Sequence, residues 1–234
     1  MKTSTNILLI YVALILAFIL MLFILAKNKA NEIEANKDGT VVTTIPIPSE
    51  ASINVVVVDS FCVCQINLSD SAYITWTHPD DSLDYGDLFK ISHDTLYVIK
   101  SPNREPEDLV VHCPAIKTVV ARHYSTVTLA PTPLDSLTIV ADNGEVRLWE
   151  YIAEGVENKE VLDLTVLADS GMVLVNTAFK SLNATMNGGK LVAQQAIGQS
   201  VNLNLRNNAT VSLANSPASM TVKTDQTSKV VIDD

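Results

Sequence analysis

From about Ala115 to Asp234 the chain repeats one short pattern: alternating apolar residues, a polar tip, then more alternating apolar residues. The copies are Thr118–Leu129, Leu137–Leu148, Leu164–Val175, Leu182–Ala193, Leu203–Ala214 and Met220–Ile232. With Tyr124, Gly144, Gly171, Gly188, Asn208 and Thr227 as centres, the steps are 20, 27, 17, 20 and 19 residues. Alternation with period two places every second side chain on one face. A recurrence near 20 residues then predicts an all-β fold, a single-domain parallel β-solenoid in which each repeat forms one coil. Such a repeat constrains architecture strongly and chemistry weakly.

Ahead of the repeats lies an uninterrupted apolar run, residues 7–26, with no charge, Gly or Pro. Twenty such residues match the helix length that spans a bilayer core of roughly 30 Å. A cleaved signal peptide would have a shorter apolar core and a small-x-small cleavage site, whereas this run ends Ala26-Lys27-Asn28-Lys29. The sequence therefore predicts a retained transmembrane α-helix after a short tail, 1–6. Lys2 on one side and Lys27 and Lys29 on the other leave the positive-inside count close to a tie. A short N-terminal tail favours a cytoplasmic N-terminus and an extracytoplasmic, periplasmic head. Polar residues 27–45 read as a stalk, and 46–234 as the head, with less regular strands over 46–114 and regular repeats over 115–234.

The first part of the head reads as strands at 53–68, 71–76, 88–92, 95–100 and 108–114. Polar breaks separate them, and the two prolines of 102–108 mark a loop. Residues 149–160, within the longest step, read as a loop or short helix bulging from one coil and carrying Trp149 and Tyr151. That insertion is the first place to expect a partner.

A formal net charge of −10 argues against nucleic-acid or anionic-membrane binding by the head, since both need clustered Lys and Arg. The only membrane contact expected is through residues 7–26. Three cysteines, Cys62, Cys64 and Cys113, are too few for a disulfide scaffold. With His112 they could form a thiolate metal site, but the spacing lacks the two-residue gap of zinc knuckles. Buried core thiols are the favoured reading, with no metal and no cofactor. His78, His93 and His123 read as isolated loop residues.

The tips Asp142, Asn143, Asp169, Asn187, Asn207, Asn208 and Asp225 would stack a strand spacing apart in a solenoid. Such a strip could bind glycan hydroxyls or Ca²⁺ through oxygen ligands. Turn chemistry explains the same residues more simply, because Asp, Asn and Gly tolerate positive φ and satisfy turn backbone groups. No nucleophile elbow, His-Glu-x-x-His motif or phosphate loop occurs. Acidic residues lie at tips and loops rather than on strand faces, so the chain does not read as an enzyme.

The stretch Leu68–Trp76, the Asp94-Thr95-Leu96-Tyr97-Val98-Ile99 strand, the strand running into Pro114 and tips such as Asp142-Asn143-Gly144 together resemble one family. This is the auto-transporter adhesin head GIN domain family, common in Bacteroidetes. The resemblance covers about 46–234, with His123-Tyr124-Ser125 and Asp225-Gln226-Thr227 replacing its Gly-rich tips. It implies a β-helical extracytoplasmic domain and no established activity. Four Asp-Ser/Thr-apolar sites also resemble the O-glycosylation acceptor of exported Bacteroidetes proteins, which makes Ser71, Ser82, Thr95 and Ser136 candidate acceptors.

The combined reading is a membrane-anchored, non-catalytic, adhesin-like module contacting a glycan or an envelope protein. The alternatives are a structural solenoid that assembles end to end, as bactofilins do, and, least favoured, a β-helical polysaccharide-active enzyme. Exposed strand edges at solenoid ends must be capped or will stack. The acidic C-terminus, Asp233-Asp234, reads as a cap.

Overall fold

The computed structural model describes Met21 and residues 41–48, 52–78, 88–99, 109–130, 134–148, 161–194 and 200–233. Among them no helix is long and apolar enough to cross a membrane. The 7–26 span lies outside the described residues except for Met21, as do Ser82, Trp149 and Tyr151. What is described from Val42 onward is all-β, in two sheets of ten and nine strands.

Each sequence repeat supplies two strands, one to each sheet. In order these are β1 (Val41–Pro46), β2 (Val55–Val58), β3 (Val63–Leu68), β4 (Tyr73–His78), β5 (Phe89–Ser92), β6 (Thr95–Val98) and β7 (Leu109–Cys113). The regular repeats follow as β8 (Thr118–Arg122) with β9 (Thr126–Leu129), and β10 (Ser136–Asp142) with β11 (Glu145–Leu148). Next come β12 (Val161–Asp169) with β13 (Met172–Val175), and β14 (Phe179–Asn187) with β15 (Lys190–Ala193). Last are β16 (Ser200–Arg206) with β17 (Thr210–Leu213), and β18 (Ser219–Thr224) with β19 (Lys229–Ile232). The strands line up as β18-β16-β14-β12-β10-β8-β2-β6-β5 in one sheet and as β1-β4-β7-β3-β9-β11-β13-β15-β17-β19 in the other; in the regular repeats the first sheet takes the longer strand of each pair.

Within the regular repeats all pairing is parallel and in register with the sequence copies. Val119, Ile139, Val166, Ala184 and Leu203 are matched in turn across one sheet. Val127, Val146, Val173, Leu191 and Val211 are matched across the other. All ten are buried. Alternation therefore sends two stripes of aliphatic side chains into one core, each fully buried Leu or Ile contributing about 1.5–3 kcal/mol. Sheets buried by parallel stacking need β-branched and Leu side chains at these positions, and the sequence provides them.

The N-terminal part departs from expectation in four ways. Residues 53–68 are not one strand but β2 and β3, joined by a turn at Asp59–Cys62. They form a further copy of the repeat, concealed because Ser60 and Phe61 occupy the tip instead of Gly or Asn. Its place is also out of chain order, between β6/β7 on one side and β8/β9 on the other. In addition, β4 pairs antiparallel with β7 and β5 antiparallel with β6, so the N-terminal end is closed by strands of opposite direction. Strand β1, in residues expected to end the stalk, joins the larger sheet beside β4. Its Val-Val-Thr-Thr-Ile run has the β-branched character of an edge strand.

At the other end, β18 is exposed along its whole length, with Met220 40% and Val222 37% accessible. Asp233 is tied to Ser212, whose hydroxyl donates to its carboxylate at 3.3 Å. Of the two acidic residues expected to form the cap, Asp234 lies outside the described residues.

Candidate functional site

The turns between paired strands form one edge, and the chain enters them in the left-handed region. Asn143 (φ 51°), Ser170 (φ 56°), Gly188 (φ 88°) and Asn207 (φ 54°) hold equivalent places. This is the turn chemistry that Asn and Gly tolerate and that L-residues in general avoid.

Part of the tip column is brought together as a hydrogen-bonded chain. Asn187 Nδ2 donates to Asp169 Oδ1 at 3.0 Å, and Asn207 Nδ2 donates to Asn187 Oδ1 at 2.5 Å. The backbone N–H of Asn207 then donates to Asp225 Oδ2 at 2.7 Å, and that of Asn208 to Thr227 Oγ1 at 3.0 Å. The Asn207 N–H foremost, with Ser228 and Thr227, holds the Asp225 carboxyl well below the usual Asp range. Asp169, Asn187, Asn207 and Asp225 thus bond to one another along the column. Asp142 is not in this chain; its backbone carbonyl accepts from the His123 N–H. Among the described residues no group of three His, Cys, Asp or Glu side chains is placed to hold a metal ion.

A second polar column runs along the outer face of the longer strands. Thr118, Thr138, Thr165, Asn183, Asn202 and Thr221 are matched in register, and Asn202 Nδ2 donates to Asn183 Oδ1 at 3.1 Å. Side-chain amides one strand spacing apart pair naturally in this way.

Turn length shapes the edge. The turns after β8 and β16 have three residues, 123–125 and 207–209, whereas those after β10, β12 and β14 have two. Backbone bonds fix the alignment: Glu145 N–H donates to Ser125 O, Met172 to Gly144 O, Lys190 to Gly171 O and Thr210 to Gly189 O, at 2.8–3.0 Å. Ser125, Gly144, Gly171, Gly189 and Ala209 therefore occupy one row. The residue missing from the three short turns is the one that Tyr124 and Asn208 represent in the longer turns.

The result is an open groove of about 420 Å³ with Gly144, Gly171 and Gly189 in its floor and Tyr124 at one end. Asn143, Glu145, Ser170, Met172 and Lys190 also line it. Glu145 accepts a 2.7 Å bond from Arg147 Nε, which orients its carboxylate. On its other side Tyr124 stacks against Phe61, centroids 5.4 Å apart and planes 15° from parallel. Both rings are 70% exposed, and both residues sit at positive φ, 63° and 64°. An aromatic residue in that region is an outlier worth explaining.

Beneath this pair, His123 Nδ1 meets Asp59 Oδ1 at 2.5 Å, and Ser125 Oγ donates to Val58 O at 2.8 Å. Burial opposes the charged form of Asp59, but bonds from His123 and Ser60 outweigh it and hold the carboxyl low. His123 is therefore a turn residue with a partner rather than an isolated one. His78 ends strand β4, and His93 lies at a turn with Ser92 Oγ 3.2 Å from its Nδ1. His112 stacks on Tyr73 at 4.1 Å, and burial lowers its pKa. Cys62, Cys64 and Cys113 are buried, as favoured from sequence. Burial pushes the Cys113 thiol up to about 11 and that of Cys64 further still, so both remain protonated.

Of the acceptor candidates, Ser71 and Ser136 are exposed. Thr95 is half-buried in β6, its hydroxyl 3.3 Å from Asp94 Oδ1. Phe61 and Tyr124, the latter a repeat centre, are not among the site residues expected from sequence. Their signal was an aromatic at a tip where other copies carry Gly or Asn.

No family model matches the chain, and no curated protein matches it. Solved structures do. A "putative adhesin" from Bacteroides fragilis superposes with a TM-score of 0.50 at 13% identity, covering 82% of this chain and 96% of its own. A "putative adhesin" from Parabacteroides merdae gives 0.49 at 14%, covering 83% and 93%. A "putative lipid binding protein" from Parabacteroides distasonis gives 0.47 at 10%, covering 83% and 94%. At such identities the first likeness speaks to fold alone.

Proposed function

We propose that this chain is a non-catalytic binding module of the cell envelope, an adhesin-like head on a membrane anchor. In this reading residues 7–26 span the bilayer and the described strands wind as a parallel β-solenoid outside the cytoplasm. In-register parallel pairing of one strand per repeat in each sheet supports the winding. The uninterrupted apolar run supports the anchor. The observation that carries the binding role is the solvent-exposed Phe61–Tyr124 stack at the head of an open groove. Soluble proteins seldom leave clustered aromatics exposed without a partner for them. The name of the Bacteroides fragilis neighbour and the resemblance to the GIN family point the same way.

Two measurements test this. A reporter active only outside the cytoplasm, fused after Asp234, should be active; activity of a cytoplasmic reporter instead would end the export claim. The full chain on a glycan array and against envelope extracts should retain a partner without modifying it.

A second reading, end-to-end assembly, draws on the exposed β18 edge, where Met220 and Val222 are accessible. Antiparallel strands at the N-terminal end oppose a continuous parallel filament, so a dimer through two C-terminal ends is the form it would take. Sedimentation of full-length protein distinguishes them: a monomer at all concentrations removes this reading.

A further inference from the structure

We infer that the Tyr124 groove is a carbohydrate subsite, taking one β-linked, gluco-configured pyranose of a neutral oligosaccharide flat against the free face of the Tyr124 ring. This rests on the binding-module reading above and names its site and ligand class.

Phe61 and Tyr124 occupy consecutive places in the column and stack at 5.4 Å, close to the strand spacing of about 4.8 Å. The next three turns lack the equivalent residue, so the stack stops although the backbone continues beneath it. One face of Tyr124 meets Phe61, and the other opens onto the groove. Before a side chain resumes at Asn208 there are four strand steps, about 19 Å. A flat, rigid ring entering the first empty place would sit one strand spacing from Tyr124, as Phe61 does on the other side.

The chemistry of the walls selects the ring. An aromatic face carries partial negative charge and attracts the slightly positive C–H groups of an apolar sugar face. Gluco-configured β-pyranoses present such a face because their hydroxyls lie equatorially and their axial positions hold hydrogens. Equatorial hydroxyls then project toward the groove sides, where Asn143, Ser170, Glu145 and Lys190 supply donors and acceptors. One acidic and one basic side chain leave no net charge to favour an ionic ligand. Met172 adds a soft apolar contact.

Backbone conformation points the same way. Asn is favoured at positive φ, yet Phe61 and Tyr124 stand at the place where Asn208 shows that Asn fits. Retaining two exposed aromatics in a conformation they disfavour is costly for folding and is understandable if the rings contact a ligand.

The test uses full-length protein in a detergent without a sugar headgroup, titrated calorimetrically with cellotetraose, chitotetraose and an α-linked mannotetraose. Binding to a β-gluco probe is expected, weaker for the manno probe, whose axial 2-hydroxyl spoils one face. Tyr124→Asn should fold with an unchanged or raised Tm and lose binding at least about tenfold. Tyr124→Phe should keep it. Undiminished binding by Tyr124→Asn would overturn the site while leaving the binding-module reading intact. If the wild type binds none of the three probes yet retains an envelope protein, the ligand class is wrong and the broader reading survives.

Discussion

A β-carbon on Gly144 would lie 2.5 Å from both the carbonyl carbon and the carbonyl oxygen of Ala121, one repeat earlier. Neither atom is the end of a flexible side chain, so no rotamer change makes room. Gly171 meets Ala141 O in the same way at 2.5 Å, and Gly189 meets Gly171 O. The close approach of each turn to the backbone of the preceding repeat, rather than ligand contact, therefore dictates these glycines.

Gly144→Ala should lower stability by about 1–3 kcal/mol or more, the usual range for overpacking. Gly188 provides the control. Its φ is +88°, but the nearest atoms to an added β-carbon are 3.4 Å away, and Asn207 occupies the equivalent place. Gly188→Asn should stay within about 1 kcal/mol of wild type, because Asn tolerates the left-handed region. Denaturant midpoints of the two variants decide the matter; equal losses would refute the close-approach account.

The chain from Asp169 through Asn187 to Asn207 passes through one side chain. Asn187→Ala removes the acceptor of Asn207 Nδ2 and the donor to Asp169 together. Because the column is exposed, the loss should be modest, about 1 kcal/mol for the two bonds. Asn187→Asp should be worse than Asn187→Ala at neutral pH, since it sets a second carboxylate against Asp169. Urea unfolding of both variants at pH 7 provides the check, and equal midpoints would contradict the repulsion.

Asp225 supplies a pH dependence whose sign follows from its bonds. Its carboxyl titrates below the ordinary Asp range because the charged form accepts the backbone N–H groups of Asn207, Thr227 and Ser228. A depressed folded-state value contributes stability in full above the unfolded-chain value, about 3.9, and loses it as pH falls through the lower folded value. The Asn207 amide resonance should therefore shift and lose protection only in strong acid. In Asp225→Asn that acid step should vanish; a step at the pH of an ordinary Asp in wild type would contradict the assignment.

The regular repeats were legible because alternation and tip residues are local signals. Thr118–Ile232 yields strand pairs at the positions its pattern marks, in one register throughout. The Val55–Leu68 copy was missed because Ser60 and Phe61 make a turn with residues that do not advertise one. Its placement between later strands was beyond reach, since spatial order depends on long-range pairing that no short window encodes. Asp169, Asn187 and Asn207 are recognisable as a column in the sequence, but the hydrogen bonds between them depend on the register of separate repeats. The groove escaped for a similar reason: it arises from a one-residue difference in turn length, and a missing residue leaves no side chain to notice.

The most direct test of the binding account is saturation-transfer NMR between full-length protein and cellotetraose, comparing wild type with Tyr124→Asn. Saturating aromatic protons should transfer magnetisation most strongly to the axial ring protons of a single glucose unit, and Tyr124→Asn should abolish the effect. Equal transfer from both proteins, or transfer spread evenly along the oligosaccharide, would contradict a pyranose stacked on Tyr124.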